Sequence, residues 1–225
     1  MAAHLKRSGL PKLAQKLKSC TTGHRCGSGA CPNCLTATGR FLSEQIRIAF
    51  PPPAEQLKVT IVPSDESLLA SKIAAVGIRD HRAVLRDGLA NAGLSGVPVI
   101  GGFDISYDRY RGTISKDAWV GHWCLFFADC DRGELFKALK TSFPRTLLVP
   151  KPIMVLPVTY TPDVAHWYAF ANSFDEKQII VNERRRQTNS KTVTKQHAEF
   201  NALLLWLDRT GLTSRIYMQG GRAMV

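Results

Sequence analysis

Four cysteines fall within fifteen residues, CTTGHRCGSGACPNC from Cys20 to Cys34, spaced C-x5-C-x4-C-x2-C, and only Cys124 and Cys130 follow them. A segment this short and rich in glycine cannot bury a core of its own, so something must tie it together. The terminal C-x-x-C lets two thiolates meet one tetrahedral Zn2+ at about 2.3 Å, and Gly27, Gly29 and Pro32 supply the tight backbone of a knuckle. Cys20, Cys26, Cys31 and Cys34 are the candidate ligands, and His24 can take the place of Cys20. The opening stretch MAAHLKRSGLPKLAQKLKS lacks the apolar run of a signal peptide, which points to a reducing cytoplasm and away from disulfides. A redox C-x-x-C is expected to follow a strand and open a helix, whereas this one follows a basic loop. Structural zinc is therefore expected; unmetallated thiols and redox chemistry are the alternatives.

Charge bounds the partner. The 225 residues carry 30 Lys+Arg against 18 Asp+Glu, a formal +12, so the surface attracts polyanions. Up to position 50 the bases are Lys6, Arg7, Lys12, Lys16, Lys18, Arg25, Arg40 and Arg47, facing the single acid Glu44. A second basic run, ERRRQTNSKTVTK from Glu183, holds Arg184, Arg185, Arg186, Lys191 and Lys195. Nucleic acid is the favoured partner, with two solvated segments the plainer reading. An anionic membrane surface is disfavoured because no wide apolar stripe accompanies the charge, and no run approaches the roughly 18 apolar residues of a span. Hydrophobic residues at 44% and charged residues at 21% exclude a disordered chain.

The pattern predicts two units: a basic N-terminal segment over 1–50 with the knuckle as an appendage, and a main domain over 57–225. A helix over 35–49 stops at the prolines of PPPAEQ. KVTIV reads as a strand, SLLASKIAAV and DHRAVLRDGLANAG as helices, and VPVIGGFDISY and AWVGHWCLFF as strands joined by the connection RYRGTISKD. RGELFKALKTSF reads as a helix capped by Asp131. KPIMVLPVTY reads as a strand whose Pro157 implies an edge or a bulge, and DVAHWYAFANSF as a helix. The order is that of an α+β, ferredoxin-like split βαβ sheet. A C-terminal helix follows the basic loop, with Phe200, Leu203, Leu204 and Leu207 on one face and Gly211 beyond it, and SRIYMQG can add a last strand.

Asp104 in GGFDISY and His122 in VGHWCLFF fall on strands of one hairpin, so they can share a face, and Cys124 points the same way as His122. A carboxylate and an imidazole can bind a divalent metal together. Each also has a plainer role: Asp104 as a loop cap or the partner of an arginine, His122 as a hydrogen-bonded strand histidine. Trp119, Trp123 and Trp167 read most simply as core or groove-lining residues, with stacking on an unpaired base the alternative.

These residues carry a resemblance. CGSGACPNC resembles the cysteine knuckle of plasmid rolling-circle replication initiators, HUH endonucleases on an RRM-like sheet. KVTIVPSD resembles their first strand motif, GHWCLFF their His-hydrophobic-His strand, and YAFANSF the helix carrying their nucleophilic tyrosine. The resemblance spans roughly residues 20 to 175. It implies that Asp104 and His122 help hold Mg2+ or Mn2+. It also implies that Tyr168 attacks a phosphodiester of single-stranded or hairpin DNA, leaving a 5′-phosphotyrosyl bond and a free 3′-OH. The sequence departs from that pattern in two places: Cys124 stands where the second histidine is expected, and Ala171 and Asn172 stand where a lysine is expected. Cysteine is a poor partner for Mg2+. Two functions follow as expectations, a tyrosine DNA endonuclease serving replication and a catalytically inactive zinc-containing DNA-binding module. A primase-like site at Asp129 and Asp131 is a lesser alternative, since a helix cap explains Asp131 equally well. His166 reads as a surface residue.

Overall fold

The computed structural model describes residues 5–6, 8–51, 54–63, 69–112, 115–159, 176–181, 187–193 and 197–220. The fold is α+β. Its helices are α1 (Pro11–Lys18), α2 (Pro32–Ala49), α3 (Ile78–Asn91), α4 (Arg132–Ser142) and α5 (His197–Thr210). Its strands are β1 (Gln56–Ile61), β2 (Val99–Gly112), β3 (Lys116–Ala128), β4 (Ile153–Pro157), β5 (Glu176–Val181), β6 (Gln187–Val193) and β7 (Ile216–Gln219).

The seven strands form one mixed sheet in the order β4-β1-β3-β2-β5-β6. β2 is long enough to serve two partners along one edge: its first residues pair antiparallel with β7, and its last six pair parallel with β5. β1, β2, β3 and β4 pair antiparallel throughout. β1 shows the alternation of a strand with one face in the core, because Leu57, Val59 and Ile61 are buried and their neighbours are half-exposed. β2 is buried almost throughout, as befits a central strand covered on both faces.

On the face of the odd-numbered residues, Val59, Phe103, Trp123 and Leu125 meet Leu85 and Leu89 of α3, Leu135 and Leu139 of α4, and Leu203, Leu204 and Leu207 of α5. The buried indoles satisfy their N–H groups locally: Trp123 donates to the His81 carbonyl at 3.3 Å and Trp206 to the Val76 carbonyl at 3.2 Å. Trp119 and Trp123 are core residues, 3% and 0% exposed, so neither is placed to stack on a base. On the opposite face α2 covers one end of the sheet, where Leu42, Ile46 and Phe50 pack on Ile100 and Phe126. Leu69, Leu148 and Ile179 cover the other end.

Several expectations are met. Pro157 ends the outer strand β4, and Asp131 caps α4 by accepting the Glu134 N–H at 2.9 Å. α5 and β7 lie where the pattern places them.

Four expectations give way to packing. Leu5, Leu13, Ala14 and Ala30 share the main core cluster with the strands, so the N-terminal segment is part of the domain's core rather than an appendage to it. Within SLLASKIAAV the described residues hold only a 3-10 turn at Ile73–Ala75, because Ala70 is drawn into a bridge with Trp119. RYRGTISKD is mostly strand: Tyr110 pairs with Lys116, and Arg111 bonds Asp117 at 2.5 Å. The basic run is not a simple loop, since β5 and β6 form a hairpin with Lys191 on its outer strand. Arg184, Arg185, Arg186, Lys195, His166, Trp167, Tyr168 and the helix expected around them lie outside the described residues.

Candidate functional site: a cysteine centre and a polar sheet face

The cysteine centre is built where the N-terminal segment meets α2 and α5. Cys31 is the N-cap of α2 with extended backbone and Pro32 follows at the first helical position, which brings Cys34 into the first turn. Gly27 adopts φ +69°, a left-handed conformation that lets the chain fold back so Cys26 faces the helix start. Gly29 sits so close to α5 that a β-carbon there would lie 2.7 Å from the Leu207 carbonyl oxygen. Leu17 and Leu212 close the cluster, and Lys16 reaches Asp208 of α5 at 2.7 Å.

The sulfurs of Cys20, Cys26, Cys31 and Cys34 all lie within 4.8 Å of one another, with Cys20 to Cys34 at 3.5 Å and Cys26 to Cys34 at 3.6 Å. Four thiolates about 2.3 Å from one tetrahedral ion stand roughly 3.8 Å apart, so this cage fits a structural metal without rearrangement. The cysteines are free thiols rather than disulfides. His24 is exposed and outside the group, which fixes the convergent set as four sulfurs. The Cys26 N–H pulls the Cys20 thiol down to about 7, while burial pushes Cys31 up to about 12 and raises Cys34 as well. Thiols raised by burial release protons when a cation binds, so metal loading is favoured by rising pH.

The second constellation lies on the even-numbered face of the sheet. Asp104 and His122 are register partners on β2 and β3, and their Oδ2 and Nε2 atoms are 3.6 Å apart. Period-two alternation puts Ser106 and Asp108 of β2, Thr60 of β1 and Cys124 of β3 on the same face. Burial alone would push the Asp104 carboxyl up; the His122 contact, the charge of Arg215 and the Ile105 N–H at 2.8 Å outweigh it and hold the group below the ordinary aspartate range. Arg215, 3% exposed, donates from Nε to the Phe103 carbonyl at 3.0 Å, and its own pKa is lowered by burial despite Asp104. The charge of Arg215 thus favours the ionised form of Asp104, whose ion pair is with His122. Sequence reasoning missed Arg215, which ends a 3-10 turn at Thr213–Arg215 just before β7 and carries no local signal of its burial.

Asp104 and His122 are in contact on this face, with Asp108 farther along it, and the cysteine cage is the one group of three or more metal-ligating side chains among the described residues. Cys124 faces the right way, and burial pushes its thiol up to about 12; a soft sulfur is a poor partner for Mg2+. Asp131 fills the α4 cap, the plainer role expected of it, and Asp129 stands in a left-handed backbone conformation at φ +54°.

Beside His122 the sheet face opens into a cleft of about 250 Å3. Thr60, Ser106, Asp108 and His122 form its polar floor, and Val62, Leu148 and Ile179 are among its apolar walls. The Tyr110 hydroxyl fixes one wall by donating to the Leu148 carbonyl at 3.0 Å, and Thr146 ties back to Val149 at 3.0 and 3.1 Å. Of the expected nucleic-acid contacts, Arg25 and Arg40 are exposed, Arg25 donating to the Asn33 carbonyl at 3.0 Å. No protein-family model, curated protein or solved structure matches the chain.

Proposed function

We propose that the protein binds DNA, single-stranded or hairpin, as a zinc-containing module that resembles rolling-circle replication initiators but does not cut. The observation that carries this reading is the unpaired charge around the cysteine centre. Lys6, Lys12, Lys18, Arg25 and Arg40 are exposed with no ion-pair partner among the described residues, whereas Lys16 and Arg47 are taken by Asp208 and Glu44. A metal-held knuckle packed on α5 keeps several of these bases at fixed spacing, which suits a phosphate backbone better than a flexible arm does. The order β4-β1-β3-β2 with antiparallel pairing is also that of a split βαβ sheet, and it supports the resemblance.

The zinc would be held by Cys20, Cys26, Cys31 and Cys34, and its contribution is to fold and fix the knuckle. The test is binding of labelled single-stranded and stem-loop DNA across salt concentration. Four or five neutralised phosphates give a slope of about −3 in log K against log salt for a single strand. Reversing Lys12, Lys18 and Arg40 together to glutamate is expected to flatten that slope by about 2. A salt-insensitive interaction would defeat the reading.

Nicking is the second reading, favoured by the register pairing of Asp104 with His122. It requires Tyr168 to attack phosphorus, breaking the bond to the 3′ oxygen, which leaves as the free 3′-OH. Incubation with Mn2+ or Mg2+ beside a Tyr168→Phe variant tests it on a denaturing gel. An adduct lost in the variant would replace the binding-only account with an enzymatic one.

A further inference from the structure

We propose that the outward face of α2 is a stacking platform for the unpaired bases of single-stranded DNA, with Phe41 as its aromatic anchor and Arg40 beside it on the phosphates. The proposal rests on the DNA-binding reading and names the side chains that would meet a strand's bases rather than its backbone. α2 turns Leu42 and Ile46 onto the sheet, yet Phe41 and Ile48 lie on the side away from it, 54% and 55% exposed. A helical turn takes 3.6 residues, so a seven-residue step returns to nearly the same face, and these two side chains stand about 10.5 Å apart along the axis. Single exposed apolar residues are common, but two in line on the solvent side of one helix make a face that a ligand can cover. Phe41 is also the one exposed Phe, Tyr or Trp among the described residues, while Trp119 and Trp123 are buried in the core.

Charge selects the occupant. Arg40 and Arg47 follow the same seven-residue step and are displaced from Phe41 and Ile48 by one residue, about 100° around the axis. A basic row therefore runs beside the apolar row with matching spacing. Arg25 reaches the same helix at the Asn33 carbonyl, seven residues before Arg40, and extends the basic row toward the cysteine centre. Glu44 holds Arg47, but an exposed pair of this kind is weak and yields readily to a phosphate. Duplex DNA hides its ring faces in the stack and offers only phosphates to such a surface. An unpaired strand offers both, phosphates for the arginines and ring faces for Phe41 and Ile48. A second copy of the chain would set like charges against Arg25 and Arg40, and two apolar side chains make too narrow a stripe for an anionic bilayer.

The experiment measures binding of the zinc-loaded full chain to a labelled oligodeoxythymidylate and to an abasic strand of the same length, which keeps the phosphates and lacks the bases. Phe41→Ala is expected to weaken the thymidylate strand about tenfold and to leave the abasic strand and the salt slope unchanged. Phe41→Trp should keep the wild-type affinity, and its added fluorescence should be quenched as a base stacks on the ring. Arg40→Gln should weaken both strands alike and flatten the slope by about 0.7. These side chains are exposed, so the variants should keep the wild-type melting temperature. Salt-sensitive strand binding that Phe41→Ala leaves unchanged would overturn the platform and leave the DNA reading standing. No strand binding by the wild type would remove both. A Phe41→Ala variant that loses self-association in sedimentation, with strand affinity intact, would overturn the proposal and assign this face of α2 to a second copy of the chain.

Discussion

The two constellations differ in how the chain assembles them. At the cysteine centre four like donors come from one short stretch, and a helix start and two glycine positions bring the sulfurs within 4.8 Å. On the sheet face Asp104 and His122 come from separate strands and meet only through the β2–β3 register, with Cys124 on the same face. The first gathers four donors as a metal cage; the second is a charge pair with a buried arginine nearby. Proximity of two side chains alone does not make a metal site; the number of convergent donors decides.

Removing the metal is expected to have the largest effect. Zinc-knuckle peptides gain about 10–16 kcal/mol from their ion, and here Leu13, Ala14 and Ala30 join the core beside the knuckle. Chelation, or Cys31→Ser, should therefore lower the melting temperature of the whole domain, followed by circular dichroism. Reloading the apoprotein at pH 7 should release protons, because Cys31 sits near 12 before the ion binds. An unchanged melting curve after complete chelation would reduce the centre to four packed thiols.

Next in size is Asp104→Ala, which leaves Arg215 buried without its carboxylate and should cost about 3–5 kcal/mol in denaturant unfolding. The pH dependence has a fixed sign. The folded pKa of Asp104 lies below its unfolded value, so its contribution is fully present above about pH 4 and is lost as pH falls through the folded value. If the wild type and the variant lose stability in parallel below pH 4, the ion-pair account of Asp104 fails.

Cys124→His sharpens the comparison from the other side, since it places a second imidazole beside His122 and Asp104. The variant is expected to bind Mn2+ in an electron paramagnetic resonance titration where the wild type does not, at a packing cost of about 1–3 kcal/mol. Mn2+ binding by the wild type would mean that the sheet face already completes its donor set. The smallest effect belongs to His24→Ala, which should leave zinc content unchanged and stability within about 0.5 kcal/mol, because the imidazole is exposed outside the cage.

The features legible in sequence were those written locally. The C-x-x-C turn, the Asp131 cap, the alternation of β1 and the edge proline of β4 each depend on neighbours within a few residues. The Asp104–His122 pairing was also legible, because a hairpin fixes its own register. What escaped depends on distant partners. Ala70 leaves the helical pattern for a bridge to Trp119, and part of the basic run forms β6, which pairs with β5 where that strand extends the sheet along β2. Arg215 matters only because the 3-10 turn before β7 lays it against the strand that carries Asp104, a contact between segments far apart in sequence.

The central claim is that an exposed basic surface, organised by a metal-held knuckle, grips a DNA backbone. The most direct measurement is the equilibrium affinity for a labelled single strand across salt concentration, with the zinc-loaded and chelated protein side by side. The account expects a slope near −3 with zinc and a weaker, flatter response after chelation. A zinc-loaded protein that ignores DNA, or binds it equally at every salt concentration, would contradict it.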